Sequence, residues 1–467
     1  MPESLEQLLA RIGDPVDYFR NIESPPFIFP VVASEFSNFR DEQIASRDAA
    51  MLTDQSHHMT EALVEGKDAL ALLSRLAPNS TKSFAPGQAK QFAPCSFDGH
   101  VIGDGIMFYL AEGLLMLVGR APLVNWVQYN AETSGLDVSV DKDDRSPSNP
   151  AGRAVRRRHF RFQVQGPRAN AILERVNGGP LPEIKFFRIG EINIGGRRIK
   201  ALRHGMAGEP GLELWGPYDL HEEVRAAIVE AGRDFGLRQM GSRAYATGAI
   251  ESGWIPSPLQ AIYSGDRMKP FREWLPASGY EGTCSIGGSF RPSTMDGYYL
   301  TPFDLGYGSF VKFDHDFVGH ESLLRMSTQP HKRKVTFHWN PDDVARIFAS
   351  LVHPDERPFK FLDIPIANYA ASCFDEVTER SGRRVGVSMF TGYTHFTRSF
   401  LSVGVVDHAV ENGQELLLTW GEENGGTRKP AVERHQQTQV RVTVCPAPYV
   451  QQAREHYAPG SSWRTRQ

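Results

Sequence analysis

The chain has 467 residues, too many for one ordinary domain and enough for two or three well-buried ones. Hydrophobic residues make up 40%, charged residues 23% and aromatics 10%, which describes an ordinary globular protein and excludes a disordered one. Lys and Arg total 51 against 55 Asp and Glu, so a net charge of −4 offers no footprint for nucleic acid or an acidic membrane.

Residues 1–20 carry no apolar run behind a basic start, which predicts no signal peptide. Nowhere do about 18 apolar residues run together, so no membrane helix is expected, and a cytoplasmic location follows as an expectation. Residues 5–12 alternate at helical spacing. The Pro-rich stretch 24–32 forbids helix and predicts extended backbone. Residues 66–76 predict a helix with Leu70, Leu73 and Leu76 on one side. Residues 101–110 and 114–118 predict two strands about the Glu112-Gly113 turn. Helices are predicted over 169–176 and 220–235. Arg153, Arg156, Arg157, Arg158 and Arg161 form a basic cluster, read as a solvated edge. This mixture without one period indicates α+β. At 327–334 the composition becomes Ser-Thr-Gln-Pro-His-Lys-Arg-Lys, a boundary that divides residues 1–326 from 335–467. Beyond it the runs 335–339, 385–390, 400–406, 415–420 and 439–444 suit a small antiparallel barrel or jelly roll. Cys95, Cys284, Cys373 and Cys445 are widely spaced with no C-x-x-C pair, so reduced thiols are expected, and neither a disulfide framework nor a metal site.

Three clusters carry chemistry. In Asp54-Gln55-Ser56-His57-His58-Met59, adjacent histidines on a strand face opposite ways, so they are no ready metal pair; one is buried and the other lines a cavity, or both are ordinary hydrogen-bonded histidines. In residues 203–216, four glycines near Glu213 let backbone approach a flat ligand, and the carboxylate can take paired donors of an amino-pyrimidinone. An exposed Glu beside a Gly-rich turn is the plainer alternative. The glycine spacing does not fit a dinucleotide fingerprint. Gly241-Ser242-Arg243-Ala244-Tyr245, leading to Glu251-Ser252-Gly253-Trp254, lines an aromatic site or supplies core and a turn.

Together these stretches resemble the aminomethyltransferase (glycine-cleavage T-protein) superfamily over nearly the whole chain. Its "D-x-S-H-M" is matched, with one extra residue, at 54–59. Pro86-Gly87-Gln88-Ala89, Gln165-Gly166-Pro167 and residues 203–213 match further motifs, and residues 313–319 echo a "K-x-x-F-x-G" turn. Within it, the chain looks most like bacterial tetrahydrofolate-dependent aryl O-demethylases, through Gly103-Asp104-Gly105-Ile106, residues 118–122, 251–258 and 390–393, and Trp420-Gly421-Glu422 with its continuation to Lys429. The resemblance implies a three-part fold with tetrahydrofolate, the methyl acceptor, in a central channel. Where the family usually has two adjacent acids, this chain has Asp104 and Gly105, which sets it apart from glycine cleavage. The "K-G-C-Y-x-G-Q-E" motif of the iron–sulfur repair members is missing. An amine-directed aminomethyltransferase, a non-catalytic folate-binding protein and a fused demethylating oxidase are the rival readings.

The resemblance assigns roles. Tyr245 donates a proton to the departing phenolic oxygen, whose pKa of ~10 matches a tyrosine's. Arg120 anchors a benzoate carboxylate. Gln55 and His58 hold ring oxygens, with Ser242 in the same wall. Glu213 holds the pterin, and Gln165 and Trp254 add folate contacts. The small molecules are a methoxybenzoate and folate; no metal, nucleic acid, membrane or obligate protein partner is expected. Phe29 stands where vanillate-directed relatives carry tyrosine. It strands no polar group against a second methoxy group, which favours syringate. Phe29→Tyr is therefore expected to lower turnover of syringate relative to vanillate. An unchanged ratio of the two rates would remove that argument.

Overall fold

A computed structural model describes residues 2–22, 32–143, 157–205, 208–256 and 258–457. Phe29, Arg153, Arg156 and nearly all of the Pro-rich stretch lie outside the described residues. The first helix, Leu5–Ile12, forms as the spacing predicts, and Ser4 and Gln7 close a capping box at its start.

Two sheets build the part before the boundary. A six-stranded sheet has the order Leu237–Met240, Ala50–Asp54, His159–Gln165, Gly211–Pro217, Arg197–Leu202, Ile189–Ile194. A five-stranded antiparallel sheet has the order Gln88–Phe92, Gly105–Ala111, Leu114–Gly119, Thr60–Glu65, Ser139–Asp143. After the boundary, six strands close an antiparallel barrel from Arg333–Trp339 round to Thr438–Pro446. Of the two architectures expected there, the closed barrel is the one formed. All five runs read from the sequence lie in it; the strand Asp375–Thr378 was missed, being short and mostly polar.

Several boundaries shift for local reasons. The helix read over 66–76 begins only at Ala69, because Gly66 has φ +140° and its backbone lies against Asp137. The strand read from residue 101 begins at Gly105, since the Asp104 carboxylate turns inward to take side-chain donors. The helix read over 220–235 runs His221–Gly232 and tightens into a 3₁₀ turn, Arg233–Phe235. The stretch around Tyr245, read as lining an aromatic site or as core and a turn, is the helix Ser242–Ser252. The barrel braces that helix: Gly392 packs within side-chain reach of Ile250, and Gln43 links Thr247 (3.0 Å) to the barrel hairpin at His395 (2.7 Å). Among the described residues, no helix is long and apolar enough to cross a membrane.

The central strands of the six-stranded sheet follow strict alternation. Leu52, Phe162, Val164, Leu212 and Leu214 enter one hydrophobic core. The opposite face carries Met51 and Thr53, then Arg161, Gln163 and Gln165, then Glu213 and Trp215, paired across strands as Thr53↔Gln163↔Glu213. These polar residues are nonetheless buried, Gln163 at 0% and Gln165 at 1% exposure. A buried polar face is where a ligand or an internal network must satisfy hydrogen bonds. The register depends on Gly211, whose φ is +155° and whose added Cβ would meet the Val164 carbonyl oxygen at 2.1 Å. Gly211→Ala is expected to lower the unfolding free energy by about 2–3 kcal/mol, seen as a fall in urea midpoint at constant m. An unshifted midpoint would show that the strands part without cost.

Candidate active site

The turn after the strand Ala50–Asp54 sets out the first group of side chains. Asp54 Oδ1 accepts from the Ser56 N–H (2.9 Å), the His58 N–H donates to the Gln55 carbonyl (3.0 Å), and Ser56 Oγ accepts from the Arg161 N–H (3.0 Å). This Asx-type turn separates the two histidines. His57 is buried against Tyr218, with 3.1 Å between Nε2 and the hydroxyl. His58 goes the other way, its ring edge-on to Tyr245 with centroids 5.0 Å apart. Gln55 Nε2 donates to the Tyr245 hydroxyl at 3.2 Å. Gln55, His58 and Tyr245 are therefore one cluster, as the sequence reading placed them.

Arg120 completes it. The residue is the N-cap of helix Ala121–Thr133, and its guanidinium donates to the Tyr280 hydroxyl at 3.4 Å. Among the described residues no carboxylate lies within ion-pair distance of it. Its charge is nevertheless felt by the cluster. Desolvation, then the Arg120 charge, brings His58 down to about 3. Burial pushes the Tyr245 hydroxyl above the ordinary tyrosine range, with smaller opposing effects from the Gln55 bond and Arg120. At neutral pH the wall thus presents one guanidinium with no ion-pair partner among the described residues, one neutral imidazole and one protonated phenol. A part-buried guanidinium without a counter-ion is a site for an anion, and its fork suits a carboxylate.

The second wall is the polar face of the six-stranded sheet. Arg161, expected at a solvated edge, is buried instead. It donates to Glu213 Oε1 at 2.6 and 3.1 Å and to Glu61 Oε2 at 3.2 Å, with Phe108 and Trp215 5.1 and 5.4 Å from its centre. Arg157 is likewise buried, against Asp143. Both Arg161 bonds fall on one oxygen of Glu213, which leaves Oε2 for a ligand. Beside it, Gln163 donates to the His204 carbonyl (3.1 Å), while Gln163 Oε1 and His204 Nδ1 are buried without hydrogen-bond partners among the described residues. Two acceptors next to each other fit the paired donors of an amino-pyrimidinone ring, so this wall fits a pterin. Gln163 was missed by the sequence reading. Its signal was the alternation of Arg161, Gln163 and Gln165 along one strand, hidden by reading the arginines as a surface cluster.

Gln165, one pleat further, donates to the Glu209 carbonyl (3.4 Å) and borders a small cleft with Tyr245, Arg47 and Glu251. There Arg47 bridges Glu209 (3.1 Å) and Glu251 (3.2 Å), whose carboxyls burial raises. Trp254 follows the helix of Tyr245 after the left-handed Gly253, and its indole donates to Asp104 at 2.9 Å. Ser242 lies one turn before Tyr245; its N–H bonds the Ala33 carbonyl (3.0 Å), and its side chain is not joined to the Gln55, His58 and Tyr245 cluster.

A family model described as the GCVT N-terminal domain matches residues 10–257, which takes in both walls. The chain belongs to the aminomethyltransferase (GCVT) family. Among its relatives, the syringate O-demethylase of Sphingobium sp. (strain SYK-6) is 44% identical over 467 residues, covering 100% of both chains. The sesamin methylene transferase of Sinomonas sp. is 31% identical over 442 residues, 90% of this chain and 91% of that one. An aminomethyltransferase of Caldanaerobacter subterraneus is 29% identical over 307 residues, 64% of this chain and 69% of that one. The crystal structure of glycine cleavage system aminomethyltransferase T from Bartonella henselae superposes with a TM-score of 0.59 over 90% of this chain and 91% of its own, at 19% identity. That likeness establishes the aminomethyltransferase fold for this chain.

Within this aminomethyltransferase fold, His57 is brought to about 4, by desolvation and then by the Arg157 charge. Histidines that stay neutral in the fold but not in the unfolded chain let the unfolded state bind more protons. Stability is then lost as pH falls from about 6.5 toward about 3. His58→Gln removes one such group. Its loss of urea stability between about pH 6.5 and 4 should be shallower than the parent's. An equal slope would mean that His58 titrates normally in the fold.

Proposed function

We propose that this protein is a tetrahydrofolate-dependent aryl O-demethylase that converts syringate to 3-O-methylgallate, leaving 5-methyltetrahydrofolate. The observation that carries this reading is Arg120: a guanidinium with no carboxylate partner among the described residues, beside neutral His58 and the Gln55–Tyr245 pair. A benzoate carboxylate on Arg120 presents the far side of the ring, with its hydroxyl and methoxy groups, to Gln55, His58 and Tyr245. The full-length similarity to a syringate O-demethylase supports the same substrate class. The solutes involved place the protein in the cytoplasm. Residues 1–326 form the folate- and substrate-binding region, and 335–467 the barrel region that braces it.

Tetrahydrofolate supplies a secondary-amine nitrogen that takes the methyl group and gives up its proton. Glu213 Oε2 and Gln163 hold the pterin edge on the polar wall, with Trp254 and Gln165 further along it. The bond that breaks joins the methyl carbon to the ether oxygen, and that oxygen must end as a phenol. Tyr245 keeps its proton because burial disfavours the tyrosinate, so it can hydrogen-bond the ether oxygen and hand over the proton as charge develops. Gln55, donating to the Tyr245 oxygen, steadies the charge left there. The proton displaced from the amine balances the one Tyr245 delivers. His58, neutral, orients ring oxygens without adding charge. Arg120 fixes the ring plane, so that the methyl carbon sits in line between its two partners.

Anaerobic incubation with tetrahydrofolate and, in parallel, syringate, vanillate and 3-O-methylgallate tests the reading, with products separated by chromatography. Stoichiometric 5-methyltetrahydrofolate and demethylated phenol are expected, fastest from syringate. No transfer from any of the three would overturn the reading. Tyr245→Phe should lower kcat by about two to four orders of magnitude with little change in KM. Arg120→Gln should raise KM for the aromatic acid by about 30-fold or more and leave folate affinity unchanged.

A further inference from the structure

Asp104 stands between strand and site in an unusual hydrogen-bonding state. Three donors from three separate stretches converge on a single oxygen: Oδ2 accepts from Tyr307 OH (2.6 Å), Trp254 Nε1 (2.9 Å) and Gln91 Nε2 (3.4 Å). Tyr307 in turn lies under Lys334 of the first barrel strand, whose Nζ is 5.9 Å from its ring centroid. Lys334 has no acid within ion-pair distance among the described residues. Desolvation lowers its ammonium to about 8, and Asp104 is the charge that opposes this. A continuous path therefore runs from the barrel through Lys334, Tyr307 and Asp104 to the indole of Trp254.

Trp254 Nε1–H can only donate, and the Tyr307 hydroxyl donates to the same oxygen, so both bonds need Asp104 Oδ2 as an acceptor. A carboxyl that carried a proton on Oδ2 during turnover would give up, once per cycle, the acceptor that holds both donors. Burial pushes the Asp104 carboxyl above its ordinary value, opposed by the Tyr307 and Trp254 bonds and then by the Arg120 and Lys334 charges. The arrangement is that of a fixed acceptor.

We infer that Asp104 is a positioning residue, which sets the indole of Trp254 against the folate side of the channel and ties that wall to the barrel through Tyr307 and Lys334. This rests on the reading above that Trp254 contacts folate. It also separates two roles for one acid. A positioning acceptor needs an oxygen; a proton carrier needs a carboxyl.

The test compares Asp104→Asn with Asp104→Ala in the full-length protein, by anaerobic calorimetric titration of tetrahydrofolate, by Trp254 emission (the difference from Trp254→Phe) and by steady-state kinetics. The amide keeps one oxygen for both donors, so Asp104→Asn should hold kcat and the folate Kd within about threefold of the parent. Asp104→Ala strands both donors. It should weaken folate binding about tenfold or more and shift Trp254 emission, with syringate affinity within about twofold. Tyr307→Phe opens no cavity and serves if the alanine variant does not fold. It should move folate affinity the same way, by about threefold. An Asp104→Asn enzyme that loses kcat by about two orders or more with folate binding and emission intact would make Asp104 a proton carrier and overturn the inference. Parent-like folate binding in both Asp104→Ala and Tyr307→Phe, beside weakened binding in Trp254→Phe, would overturn it alone. Parent-like binding in Trp254→Phe would instead remove the contact on which it rests, and the inference with it.

Discussion

Arg161 joins the two sheets. Its guanidinium reaches from a central strand of the six-stranded sheet to Glu213 on the neighbouring strand and to Glu61 on the five-stranded sheet. Burying such a charge costs several kcal/mol unless its hydrogen bonds are met by acids in good geometry. Two carboxylates and two aromatic faces meet that demand, and the spacing between the sheets follows from it. Losing either acid would leave a buried charge unpaired, which is far more damaging than replacing the whole set by apolar groups. The contact between the two sheets is thus held by a network that tolerates little movement.

That constraint also divides labour between the walls. On the sheet wall, Arg161 consumes one oxygen of Glu213 and leaves the other beside Gln163, so the acid is aimed as well as charged. On the opposite wall no ion pair consumes the charge: among the described residues the Arg120 guanidinium donates to the Tyr280 hydroxyl and to no carboxylate. In the proposed reading, compensated charge lies on the cofactor side and the Arg120 charge on the substrate side. The helix of Tyr245 closes the third side, and the barrel packs behind it. A methyl transfer needs three atoms in line more than it needs strong acids. A rigid channel with one anion anchor and one protonated hydroxyl is suited to that need.

Much of this was legible in the residues. The barrel runs showed because period-two patterns with turns between them are local signals. Gln55, His58, Tyr245 and Arg120 came through motif resemblance, and the structure brings them into one place, whereas their roles stay with the proposal. What escaped was set by long-range contacts. Asp104 ends its strand early because its side chain is claimed by Trp254 and Tyr307, 150 and 203 residues away. The helix Ser242–Ser252 has polar residues on the face that lines the site, so its apolar period was blurred. Arg161 read as solvated because a run of arginines carries no mark of which member turns inward; the alternation with Gln163 and Gln165 was that mark. Ser242 was the weaker candidate for the same wall; among the described residues no hydrogen bond joins its side chain to Gln55, His58 or Tyr245.

The central claim is that one anion anchor and one pterin edge face each other across this channel. A crystal structure of the ternary complex with tetrahydrofolate and syringate, trapped with Tyr245→Phe, tests it most directly. The account predicts the carboxylate bidentate on Arg120, the methoxy oxygen beside residue 245, and the pterin edge on Glu213 Oε2 and Gln163 Oε1. A carboxylate held elsewhere, with Arg120 still bonded only to Tyr280, would contradict it.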